Sequence, residues 1–97
     1  MNQKQWPATI DEAVGVVIAT LSDDDKAKIA AMAKSDLIAL HFGLGTWIRN
    51  NLGLWRGNDY LLQAIQERDP SIHADDASMM IVEVAWSRLR EMVPKVH

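Results

Sequence analysis

The residues best equipped for chemistry in this chain lie together, in the segment from His41 to Trp55. Its fifteen residues hold two of the four tryptophans, three of the five glycines, an arginine and two asparagines. That mix is too polar for plain core and too apolar for plain loop. A guanidinium beside amides can clamp a carboxylate or a phosphate through its planar fork of donors. A tryptophan exposed near an arginine is the usual composition of an interface anchor. The candidate binding residues are therefore His41, Trp47, Arg49, Asn50, Trp55 and Arg56. Each also has a structural reading. Arg49 can bond the carbonyls at the end of its own helix, which needs no partner and is the favoured role. Asn50 and Asn51 stand where helix-terminal asparagines cap, Trp47 can fill core, and His41 on an apolar face can be a satisfied core histidine. Trp55, after Gly53 and before Arg56-Gly57, falls in a turn and is the better interface candidate.

A helix must position these groups. At 100° per residue, Leu37, Leu40, Leu44, Trp47, Ile48 and Leu52 share one face, with His41 and Asn51 inside it. Ala39, Gly43, Thr46 and Asn50 form a small-residue stripe opposite, and Arg49 falls between the two, beside Ile38 and Phe42. Gly43 and Gly45 cost about 1 kcal/mol each against alanine in a helix interior. Close packing of the stripe inside the domain is the favoured compensation; a shallow groove floored by Gly43 and Thr46 is the alternative.

Four further helices frame this one. Thr9-Ile10-Asp11-Glu12 is a capping box, followed by Ile10, Val14, Val17, Ile18 and Leu21 at helical spacing, so a first helix is expected over 10–21. Ser22 with Asp23-Asp24-Asp25 opens a second, over 23–33, because a hydroxyl caps and carboxylates favour the positive end of the helix dipole. The acidic triplet lacks the alternating ligands and the glycine of a calcium loop. Ser35 is expected to cap the third helix, over 36–51, and Gly53 to mark its exit. A fourth runs over 59–67, with Asn58 as cap and Asp69-Pro70 as stop. The last spans 74–92, with Asp75 and Asp76 at its start and Pro94 beyond its end. Met80, Ile81, Val84, Ala85, Leu89 and Met92 give it a broad apolar side, opposite a strip of Glu83, Ser87, Arg90 and Glu91 in which Glu83 pairs with Arg90. A helix so widely apolar is usually central. Residues 1–8 read as an irregular lead-in, since Trp6-Pro7 disfavours helix at Trp6.

Composition excludes more than it specifies. Ninety-seven residues make one domain, and an apolar share of 48% suffices for a core. There is no cysteine, which removes disulfides and thiolate metal sites and fits a reducing, cytoplasmic compartment. The apolar run from Ala13 to Leu21 is about half a membrane span. Asp11 and Glu12 precede it where a signal peptide would carry positive charge, so it reads as a helix start. His41, His73 and His97 are far apart, so no metal site is expected. There is no phosphate-binding glycine loop and no nucleophile elbow. Helix starts rich in aspartate, with a net charge of −3, disfavour nucleic acid. A patch of Arg49, Arg56, Arg88 and Arg90 is the arrangement that would support it.

Gly45-x-Trp47-Ile48-Arg49-Asn50 followed by Gly53-Leu54-Trp55 resembles the signature of a family of small bacterial domains of unknown function. His73-Ala74-Asp75-Asp76 and Trp86 are similar to its pattern around the last helix, with Ala74 where the family has proline. The resemblance covers roughly residues 35 to 90. It implies a bacterial, soluble, helical protein and no particular activity, and it places His41, Trp47, Arg49, Asn50 and Trp55 in one constellation.

The sequence thus predicts an all-α bundle of about five helices with the C-terminal helix central. The expected function is a non-enzymatic protein-interaction module, without cofactor, binding a protein partner or forming a homo-oligomer; an immunity- or antitoxin-like role fits by analogy with its size and acidity. A ligand-binding or enzymatic pocket around His41, Arg49 and Asn50 is the alternative.

Overall fold

The computed structural model describes residues 6–92, without the side chains of Ala74 and Asp75. Most of the expected lead-in, the stop at Pro94 and His97 lie outside those residues, as does the expected role of the Asp75 carboxylate at a helix start.

Five α-helices occur among the described residues: α1 (Ile10–Thr20), α2 (Asp23–Ala30), α3 (Thr46–Asn51), α4 (Asp59–Arg68) and α5 (Ala74–Met92). No strand accompanies them. Helix α5 packs against every other helical element and is the centre of the fold. Its Ala77, Ile81, Val82, Ala85 and Leu89 are buried together with Ala13, Val14 and Val17 of α1, Ile29 of α2, Ile48 of α3, and Leu61 and Ile65 of α4. No helix of the described residues is long and apolar enough to cross a membrane.

Local signals explain most helix ends. Thr9 Oγ1 accepts the amide of Glu12 at 3.1 Å, while the Glu12 carboxylate accepts from the amide of Ala8 at 3.1 Å, one residue before the cap. Ser22 Oγ accepts the amide of Asp25 at 3.1 Å and starts α2. Asn58 Oδ1 accepts the amide of Leu61 at 3.3 Å and starts α4.

Helix α2 closes at Ala30, earlier than the expected Ala33. The reason lies in α5. Trp86 Nε1 donates to the Met32 carbonyl at 2.9 Å, and Arg90 Nη1 reaches the carbonyls of Ala30 and Met32 at 3.5 Å. Those oxygens turn toward α5 and bond there. Arg90 also lies 5.0 Å above the Trp86 ring. The expected Glu83–Arg90 pair does not form; Glu83 instead meets Lys34 at 3.5 Å.

The largest departure is in the third helix. A continuous α-helix over 36–51, capped by Ser35, is replaced by a 3₁₀ stretch (Lys34–Leu40), a π stretch (His41–Gly45) and then α3. The residue before the 3₁₀ stretch is Ala33, which makes no side-chain cap. A π stretch turns less per residue than an α-helix, so every later side chain lags around the axis. That lag undoes the 100° projection. Ile38 and Phe42 stay outside while Arg49, projected beside them, turns inward. The small stripe is not packed inside the domain either. Ala39, Gly43 and Asn50 are exposed, and a side chain built on Gly43 would meet nothing within 4 Å.

Candidate functional site

The π stretch opens the helix at the head of the segment, and the opened carbonyl is used. The His41 carbonyl accepts from Arg49 Nη2 at 3.3 Å and, at 3.5 Å, from the hydroxyl of Thr46. Thr46 Oγ1 in turn accepts from Arg49 Nη2 at 2.9 Å. On its other side Arg49 Nη1 donates to Ser78 Oγ at 2.8 Å, and Ser78 is fully buried on α5. Only 4% of the Arg49 surface is exposed. Its guanidinium carbon lies 5.1 Å from the Trp55 ring centroid, in the range of a cation–π contact. Arg49 therefore works as a buried tie between α3, the π stretch and α5. It bonds one carbonyl of its own helical segment, at the near end rather than the far one.

Gly45 makes room for this tie. A Cβ there would lie 3.3 Å from Arg49 Nη1, 3.4 Å from the Leu40 carbonyl oxygen and 3.5 Å from Met79 Sδ. The two glycines of the π stretch thus have different reasons. Gly45 lets the guanidinium pass, and Gly43 faces solvent.

The other sequence candidates separate. His41 is half-buried, its ring edge-on to Phe42 with centroids 5.0 Å apart and planes at 82°. Its Nδ1 is buried and makes no hydrogen bond among the described residues. Trp47 is half-buried and packs against the core. Asn50 is exposed, while Asn51 Nδ2 donates to the Trp47 carbonyl at 2.9 Å, a local cap. Trp55 is 50% exposed, one face on Arg49, and Arg56 is exposed. The structure therefore joins His41, Arg49 and Trp55 and leaves Asn50 and Arg56 on the surface. The patch of four arginines is not assembled: Arg49 is buried, Arg88 pairs with Asp11, and Arg90 lies on Trp86.

Two surface residues were missed as candidates. Phe42 is 85% exposed and Ile38 is 69% exposed, one turn apart. A phenylalanine left in water forgoes roughly 2 kcal/mol of burial. At Ile38 a groove of about 530 Å³ is lined by Lys34, Ser35, Leu37, Ile38, Met79 and Glu83. Two apolar residues on a segment the wheel places between faces were the available signal. It was masked because the projection assumed one helical pitch throughout.

Ser78 and Asn58 were also missed. Ser78 is a lone hydroxyl within the buried row of α5, and a hydroxyl there needs a polar partner. Asn58 is buried and does more than cap: its Nδ2 donates to the Leu52 carbonyl at 2.7 Å and to the Pro7 carbonyl at 2.9 Å. It joins the lead-in to the turn between α3 and α4. The ring of Trp6 lies against Gly53 in that same turn.

Comparison with known proteins adds a family and no activity. Residues 6–89 match the family model described as Domain of unknown function (DUF6794). Neither a curated protein nor a solved structure matches.

Proposed function

We propose that this chain, which belongs to the Domain of unknown function (DUF6794) family, is a non-enzymatic protein-interaction module. The carrying observation is the exposure of Phe42, 85%, in the π stretch, and of Ile38, 69%, four residues earlier in the 3₁₀ stretch. Large apolar side chains held out together on one face are what a protein-docking surface presents. Turns of π type recur at functional sites, where they aim a side chain that a regular helix would place elsewhere. Here Phe42 stays outside and Arg49, after the turn, lies inside. Trp55, half exposed with its inner face braced on Arg49, is a second and stiffer anchor.

Arg49 supports this surface from beneath. Its Nη donors are directed at Ser78, Thr46 and the His41 carbonyl, which favours a framework role over a clamp for a small anion. A cytoplasmic setting agrees with a chain that has no cysteine. The small size and acidity suit an immunity- or antitoxin-like module that works by covering a partner.

The test is site-specific photo-crosslinking in cells of the source organism. Benzoylphenylalanine replaces Phe42 in one version and Lys28, an exposed residue of α2, in another. A discrete adduct from position 42 and none from position 28 is expected. Equal or absent crosslinking at both positions would refute docking through Phe42.

A further inference from the structure

We infer that the partner of the Ile38–Phe42 face is a second copy of this chain, related by a two-fold axis; this rests on the interaction reading above and names its partner. An isologous contact needs one patch that complements itself. This patch carries projections and recesses on the same segment. Ile38 and Phe42 project, and Ala39 and Gly43, next along the chain, are small and exposed. Gly43 has open space where a side chain would stand. Two such segments laid antiparallel put each Phe42 over the other copy's Ala39 and Gly43. The adjoining groove, about 530 Å³ with Leu37 and Met79 among its lining, is larger than a phenyl ring and can take an apolar side chain from across the axis.

The charges point the same way. Lys34 and Glu83 line that groove, 3.5 Å apart and both more than half exposed. A lysine–glutamate pair facing its own two-fold image makes a ring of four alternating charges. A strongly acidic or strongly basic partner would meet a like charge at one of the two positions. From Lys34 to Gly43 the chain holds one lysine and one aspartate, so the projecting segment is neutral, its histidine counted as neutral. The acidic starts of α1, α2 and α4 lie outside it. An apolar centre with a mixed-charge rim is the anatomy of a protein–protein contact.

The experiment is sedimentation equilibrium of the purified chain across the micromolar range. Wild type is expected at the mass of two chains. Phe42→Asp is expected to weaken association at least about 30-fold, the size of a hot-spot loss. Circular dichroism should stay that of the wild type, because the side chain is exposed and the fold does not depend on it. Lys34→Glu and Glu83→Lys should each weaken association, and the double exchange should restore it. A wild type that stays monomeric throughout overturns the dimer, and a Phe42→Asp variant that associates as wild type does overturns the Ile38–Phe42 face as its contact. Failure of the double exchange to restore association overturns the two-fold arrangement. A monomer whose position 42 still crosslinks to a different protein overturns the dimer and leaves the interaction reading standing.

Discussion

Arg49 Nη1 donates to Ser78 Oγ at 2.8 Å inside the core, joining α3 to the central helix across 29 residues of chain. A buried charge held by hydroxyls and a carbonyl is costly to disturb, because removing one member leaves the others desolvated and unbonded. Arg49→Ala should lower stability by about 3 kcal/mol in urea unfolding. Arg49→Lys should recover less than half of that, since an ammonium cannot present the same fork. A loss under about 1 kcal/mol for alanine would show that the tie contributes little.

The two glycines of the π stretch should respond unequally to the same change. Gly43→Ala meets open space and should gain about 1 kcal/mol of helix propensity, raising Tm by roughly 4–8 °C. Gly45→Ala gains the same propensity but presses on Arg49 Nη1, and should raise Tm less or lower it. Equal rises in Tm would contradict the crowding at Gly45.

Gly53 is the least replaceable glycine. Its φ of +79° is a left-handed conformation, and a Cβ would run into the Trp6 ring. Gly53→Ala should cost more than about 2 kcal/mol, the backbone strain and the clash together. In a Trp6→Ala background the penalty should fall toward about 1 kcal/mol, the backbone part alone. A penalty unchanged by Trp6→Ala would place the whole cost in the backbone.

Asn58 separates capping from fastening. Asn58→Asp keeps an acceptor for the Leu61 amide but cannot donate to the carbonyls of Leu52 and Pro7. It should therefore lose about 2 kcal/mol despite aspartate being a good cap. Hydrogen exchange at residues 8–12 should quicken with it. Unaltered exchange there would mean that the bond to Pro7 does not secure the lead-in.

Where an element follows from neighbours in the chain, the sequence reveals it. Thr9, Ser22 and Asn58 cap as their types require, and Ile10, Val14, Val17 and Ile18 of the α1 row are buried. Of the α5 row Ile81, Ala85 and Leu89 are buried, Met80 and Val84 half-buried and Met92 exposed, and α5 is central as its wide apolar side demands. What escapes the sequence is set by partners distant along the chain. Helix α2 ends where Trp86 and Arg90 take its carbonyls, and nothing near Ala30 announces that. The π stretch depends on Arg49 and Thr46 donating to the opened His41 carbonyl, so a uniform pitch misplaces Arg49, Phe42 and Gly43 at once. Of the candidate residues, Trp55 and Arg56 lie where their turn suggests, whereas Arg49 is interior and the exposed Phe42 was not singled out.

The bond from Trp86 Nε1 to the Met32 carbonyl closes a span of 54 residues. Helix-rich chains assemble quickly from contacts near in sequence. This bond cannot form until α2 and α5 are docked, and it is expected to close late, after the folding barrier. Interactions absent from the transition state govern how fast the native state opens, not how fast it is reached. Trp86 is thus a latch on the lifetime of the folded molecule: weakening it should hasten unfolding while the rate of assembly stays as it was.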